Sequence, residues 1–147
     1  MRTLLTLLVS LAATVAAADP LSAVSATPGA SSLTVRSSAY GKILVDGRGF
    51  ALYAFTKDAR GKSACQGACA RAWPPYIVKQ CPVAGAGARA SLTGTTRRGD
   101  GRIQVTYGGR PLYYYVGDKR AGQVLCQNVV EFGGTWLVVR GSGRLVR

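Results

Sequence analysis

An all-β fold is predicted: one antiparallel sandwich or small open barrel made of two pseudo-repeats, with one short helix. Three observations predict it. Leu52-Tyr53-Ala54-Phe55-Thr56-Lys57-Asp58 returns sixty positions later as Leu112-Tyr113-Tyr114-Tyr115-Val116-Gly117-Asp118. The apolar runs around both stretches are short, and Gly or Asp-Gly turns bound them, as strands and hairpins require. A single hairpin cannot bury its own face, whereas two copies packed together can.

The first eighteen residues stand apart. Arg2, an apolar run from Leu4 to Val15 and Ala16-Ala17-Ala18 before Asp19 make a secretory signal peptide. As a helix the run would reach roughly 20 Å, short of a membrane core of about 30 Å. The expected product is exported to the periplasm or the exterior, cut near Ala18, with no transmembrane anchor. Residues 19–32 are small, polar and broken by Pro, and read as a flexible linker.

The β domain is expected over 33–140. Leu33-Thr34-Val35-Arg36 alternates apolar and polar, as a half-buried strand does. Lys42-Ile43-Leu44-Val45 follows, and Asp46-Gly47 marks a hairpin because Gly accepts a positive φ. Phe50 to Phe55 is the return strand. The copies align without gaps: Gly41-Lys42-Ile43 on Gly101-Arg102-Ile103, Gly49 on Gly109, Asp58 on Asp118, Arg60 on Arg120. The repeats span about 41–78 and about 101–139. Ala68 to Trp73 is the expected helix, ended by Pro74. Trp73 and Trp136, each followed by a β-branched run, read as counterparts. Residues 82–90 read as a flexible connector and 141–147 as a basic tail.

The chain carries 19 basic and 6 acidic residues, a formal charge of +13, and fourteen of the basic residues are Arg. The longest basic run is Arg97-Arg98, so the charge is spread rather than gathered in a tail. Such a surface favours anionic envelope polymers as partners, and any nucleic-acid contact would be sequence-blind. The absence of His removes Ser-His-Asp and Cys-His catalysis and His-ligated metal. No cofactor or metal is expected. Four Cys in an exported chain read as two disulfides, with three pairings open.

Tyr-x-aromatic-x-x-Asp in duplicate, together with Cys65-Gln66-Gly67-Ala68-Cys69-Ala70-Arg71-Ala72-Trp73-Pro74-Pro75, resembles the bacterial secreted-repeat lipoproteins with a Y-x-(F/W/Y)-x-x-D motif. The resemblance covers about residues 40–139. It implies an exported envelope protein, often lipid-anchored, of undefined biochemical role. The chain lacks the lipidation Cys of that family. The family's own Cys pair falls on Cys65 and Cys69, which implies the pairing Cys65–Cys69 plus a private Cys81–Cys126 bridge.

Two readings of the motif stand side by side. Paired aromatics at strand spacing are usually core, and Asp58 and Asp118 suit turn caps. Alternatively Tyr53, Phe55, Asp58, Tyr113, Tyr115 and Asp118 line a small-ligand groove where the copies meet. Glycoside hydrolysis by Asp58 and Asp118 needs one raised carboxyl pKa, and the neighbouring Lys57, Lys119 and Arg120 argue for lowered ones. No catalytic residue is assigned. The function expected is a monomeric, non-enzymatic binding or structural module. A thiol–disulfide or electron-transfer accessory is the alternative, because a five-residue disulfide loop can be reducible.

Overall fold

A computed structural model describes residues 31–147. The expected signal peptide and nearly all of the expected linker lie outside the described residues. Strand β1 (Ser32–Ser38) turns tightly into β2 (Gly41–Asp46), and β3 (Tyr53–Phe55) follows. Helix α1 (Ala68–Ala72) sits where it is expected, with Trp73 at its C-cap and Pro74 next. After β4 (Val83–Ala84) and a single 3-10 turn come β5 (Thr93–Arg97), β6 (Ile103–Tyr107) and β7 (Arg110–Pro111). Strands β8 (Val129–Glu131) and β9 (Gly134–Val138) complete the order.

The strands form three small sheets, β2-β1-β4, β5-β6-β7 and β3-β9-β8, and no closed barrel among the described residues. All pairings are antiparallel except β1 with β4. The duplication is evident in space. The β1–β2 hairpin corresponds to β5–β6, so each repeat begins one strand earlier than the gapless sequence alignment suggests. Gly108 and Gly109, both at positive φ (58° and 77°), close the two-residue turn from β6 to β7. In the first copy the positive φ falls on Gly49 rather than Gly47, because the Asp46 carboxylate accepts the backbone N–H groups of Arg48 and Phe50 and lengthens that turn.

The copies exchange their closing strands. β3 of the first copy pairs with β9 of the second, Tyr53 opposite Val138 and Phe55 opposite Trp136. Reciprocally, Tyr113 of the second copy bridges Pro75 of the first, and the Tyr76 N–H donates to the Leu112 carbonyl at 2.9 Å. At the centre Tyr53 and Tyr113 exchange both backbone hydrogen bonds, each 2.9 Å long. This central layer is buried on both faces, which is why its sequences read as unbroken apolar runs. Alternate side chains feed two cores. Ile43, Val45, Tyr53, Phe55, Trp73 and Trp136 point into one; Leu44, Leu52, Ala54, Tyr76, Val105 and Leu112 point into the other.

Three expectations are corrected. Residues 141–147 are not a tail: Val139 bridges Leu145, the Val146 N–H donates to the Val138 carbonyl, and Val146 is buried. The connector at 82–90 is docked, since Val83–Ala84 pairs with Ser32–Leu33 and the Val35 N–H donates to the Ala86 carbonyl. Cys65 and Cys69 are bonded, but the expected Cys81–Cys126 bridge is absent and both thiols are free. Cys81 is exposed beside Lys79 and Val83, whereas Cys126 is half-buried against the first core next to Tyr115.

Candidate functional site

All six residues of the duplicated motif meet where the copies meet, but they form an interlock instead of an open groove. Tyr53 and Tyr113 have no exposed surface, Phe55 is 3% and Asp118 8% exposed, and Asp58 and Tyr115 are half-buried. Each tyrosine reaches across to the other copy's aspartate. The Tyr53 hydroxyl donates to Asp118 Oδ2 at 2.8 Å, and the Tyr113 hydroxyl donates to Asp58 Oδ2 at 2.7 Å. The second oxygen of each carboxylate closes its own copy's loop, accepting the N–H of Ala64 at 2.7 Å and of Leu125 at 3.1 Å. Asp58 and Asp118 thus cap turns and clamp the copies at once.

The aromatic positions interlock in the same way. Phe55, Trp136 and Trp73 stack in series and Tyr115 packs tilted at 40° on Trp73, so the copies alternate along the column. Phe55 lies 4.2 Å from Trp136, Trp136 4.0 Å from Trp73, and Trp73 4.8 Å from Tyr115, centroid to centroid. Tyr53 meets Trp73 edge-on and Tyr113 meets Trp136 edge-on. Edge arrangements of the kind Tyr53 and Tyr113 make add about 0.5–1.5 kcal/mol per pair beyond area burial. The Trp73 indole N–H also donates to Glu131 at 2.8 Å, another contact between copies.

The loop after each aspartate explains the cysteines. Cys65 follows Ala64 and Cys126 follows Leu125, the two residues whose N–H groups cap the aspartates. Cys126 is therefore the second copy's counterpart of Cys65, and that copy has no partner for it. The usable signal was position after Asp58 and Asp118, not the even count of Cys. In the first copy the Cys65–Cys69 bond is buried, and Arg98 stitches the loop down. Its guanidinium donates to the Cys65 carbonyl, Ser63, Gln66 and Gln104 at 2.7–3.0 Å.

Burial raises the pKa of both motif carboxyls, against the partial opposition of their hydrogen-bond donors. The lowered values expected from Lys57, Lys119 and Arg120 are not found, because desolvation outweighs those exposed cations. The buried tyrosines Tyr53 and Tyr113 are likewise pushed up, mainly by desolvation, and serve as donors. A consequence is testable. The folded carboxyls hold protons at a pH where the unfolded ones, near 3.8, have lost them. Their contribution is fully present below the unfolded pKa and is lost as pH rises through the folded one. The thermal midpoint is therefore expected to rise as pH falls from about 7 to about 4.5 by more in the parent chain than in a D58N/D118N variant. Equal slopes would refute it. Exposed Asp100, lowered to about 2 by its hydrogen bonds to Arg102, acts in the opposite sense below that window.

Beyond the interlock, Phe55 and Asp58 also line a small cavity of about 120 Å³ with Arg60 and Arg110. A wider concavity of about 670 Å³ is lined by Arg110, Arg140, Ser142, Arg144, Leu145 and Arg147. The sequence marks Arg144 and Arg147 only as part of a basic tail, and gives no sign that Arg110 and Arg140 join them. Among the described residues no three His, Cys, Asp or Glu side chains cluster.

Residues 34–76 and 94–140 match a family model described as a secreted repeat of unknown function, and together these stretches cover more than half of the chain. The chain belongs to this secreted-repeat family. The matched stretches begin within β1 and β5, which agrees with the longer repeat found in space. No curated protein and no solved structure matches the chain. Among the described residues no helix is long and apolar enough to cross a membrane. The secreted repeat thus has a structural basis for its duplication: each copy supplies half of the clamp, half of the stack and the other's closing strand.

Proposed function

We propose that this secreted repeat is a non-enzymatic exported module, a rigid duplicated scaffold that holds anionic polymer on an arginine-rich surface. One observation carries the reading: the described acids are all used internally, while most of the described cations have no acidic partner. Asp46 is tied to Arg48 and Tyr114, Asp58 to Tyr113, and Asp100 to Arg102. Asp118 is tied to Tyr53 and Glu131 to Trp73, which accounts for every described carboxylate side chain. The ion pairs among the described residues involve only Arg48, Arg98 and Arg102. The other described Lys and Arg side chains make no ion pair, and Arg60 and Arg97 donate only to backbone carbonyls. A net charge as far from zero as +13 attracts polyanions and keeps the free protein soluble.

Burial of Cys65 and Cys69, 0% and 6% exposed, supports a staple over a thiol–disulfide role, since exchange needs an accessible sulfur. In the chain-entropy account such a five-residue loop contributes about 2 kcal/mol. The test is retention of the full mature chain on immobilised polyphosphate, polygalacturonate and a sulfated polysaccharide. Tight retention at about 50 mM NaCl that falls steeply by about 300 mM is expected for charge-driven binding. Free flow through all three matrices at the lower salt would overturn the reading.

A further inference from the structure

The four arginines of the wide concavity converge from two elements. Arg110 comes from β7, and Arg140, Arg144 and Arg147 come from the C-terminal hairpin, with Ser142 and Leu145 completing the lining of about 670 Å³. No Asp or Glu lines it, and Asp58 in the adjoining small cavity is bound to Tyr113 and to the Ala64 N–H. None of the four guanidiniums has an ion-pair partner among the described residues.

The backbone that carries them is held firmly. The Arg140 N–H donates to the Arg144 carbonyl, and the Gly143 N–H donates to the Arg140 carbonyl, both at 2.8 Å. The Tyr107 hydroxyl donates to the Gly141 carbonyl at 2.7 Å. A Cβ at Gly141 would lie 2.7 Å from the Gly87 carbonyl oxygen, so the turn is clasped against the docked connector. The Arg140 side chain runs across Gly41, where a Cβ would come within 3.2 Å of its guanidinium. Four like charges on preorganised backbone repel one another, and a bound polyanion relieves that repulsion.

We infer that this basin is a binding site for closely spaced phosphoryl groups, two or more carried on one ligand. This rests on the polyanion reading above and adds to it a place and a chemistry. The planar fork of Arg matches the oxygens of a phosphoryl group and binds them in pairs. The basin has the size of a small-molecule site, about 300–1,000 Å³. An isolated phosphate leaves most of the four cations unmet. A carboxylate polymer separates its single charges by a whole sugar ring. Directly linked or ring-clustered phosphoryl groups put several charges into that space, and the Ser142 hydroxyl adds a further donor.

Calorimetry on the full mature chain tests this, with inorganic tripolyphosphate, inositol hexakisphosphate, orthophosphate and polygalacturonate as probes at one fixed salt concentration. Tripolyphosphate is expected to bind at least about tenfold more tightly than orthophosphate, and R140Q/R144Q to weaken it about tenfold or more. R71Q/R120Q, which removes the same charge from elsewhere on the surface, is expected to change it by less than about twofold. R110Q, on a different element, is expected to reproduce the loss and so to exclude distortion of the hairpin as its cause. Comparing the linear with the ring-borne phosphate tells a chain source from a headgroup-like one. Equal losses in R140Q/R144Q and R71Q/R120Q would overturn the basin while leaving the polyanion reading intact. Tighter, basin-dependent binding of polygalacturonate would overturn the phosphoryl assignment. Absence of binding to every probe, with no retention on the polyanion matrices, would overturn both.

Discussion

Replacing Trp136 by Ala is expected to lower the unfolding free energy by about 5 kcal/mol, at the upper end for buried aromatic truncations. The indole is fully buried and has three ring partners: Phe55 on one face, Trp73 on the other and Tyr113 at its edge. Its removal opens a cavity in the middle of the column, between Phe55, Trp73 and Tyr113. Domains of this size are typically stable by only about 5–15 kcal/mol, so W136A is expected to be largely unfolded or to melt at a much lower denaturant concentration. Trp136→Phe keeps a ring in the column and removes an indole N–H that has no hydrogen-bond partner, so its cost is expected to be nearer 1–2 kcal/mol, a rough figure for lost volume alone. Guanidinium unfolding of both variants decides the matter, and a cost below about 2 kcal/mol for W136A would show that the column is not the centre of stability.

The second large effect concerns the crossed hydrogen bonds. Asp118→Ala is expected to cost about 3 kcal/mol, because it strips an acceptor from both the buried Tyr53 hydroxyl and the Leu125 N–H. The informative measurement is a pair of double-mutant cycles. Y53F combined with D118A is expected to show a coupling energy of about 1–2 kcal/mol. Y53F combined with D58A, both within one copy of the motif, is expected to show almost none, since Tyr53 does not bond Asp58. If the larger coupling appeared within a copy, the crossed arrangement would be wrong. The same logic applies to Tyr113 with Asp58. It also implies that an isolated repeat cannot close its own stack.

Much of this fold is legible from local pattern. The duplicated stretch, the Asp100-Gly101 and Gly108-Gly109 turns, the short helix before Trp73-Pro74 and the equivalence of Trp73 with Trp136 all rest on spacings within a few residues. Strand period and turn chemistry act over that range. What local pattern misses has a different character. An even number of Cys suggests two disulfides and the family resemblance implies Cys81–Cys126 as the second, yet whether two thiols bond depends on where distant backbone places them. The 141–147 stretch looked like a tail because Gly141, Ser142 and Gly143 resemble a loose end. They form a tight hairpin because Val146 has a core to enter.

The candidate sites follow the same division. Tyr53, Phe55, Asp58 and their copies were identifiable as a unit, but the spacing Tyr-x-x-x-x-Asp suits a bond within a copy as well as one between copies. Choosing between them requires knowing that Tyr53 and Tyr113 sit back to back, a contact sixty residues apart. The arginine basin is legible only in part: Arg144 and Arg147 fall in the stretch that reads as a basic tail, but Arg110 is thirty positions from Arg140 and nothing local joins them.

By itself, the sequence determined that this is a duplicated β protein with a strong positive charge and no histidine chemistry. Composition and short-range periodicity are sufficient for each of those. Only the tertiary structure decided that the copies exchange strands, tyrosines and rings, that the motif is a closed clamp, and that Arg110 shares one concavity with Arg140, Arg144 and Arg147. The reason is physical: long-range contacts are selected by mutual burial and hydrogen-bond satisfaction across the whole core, and no local stretch of chain contains that information.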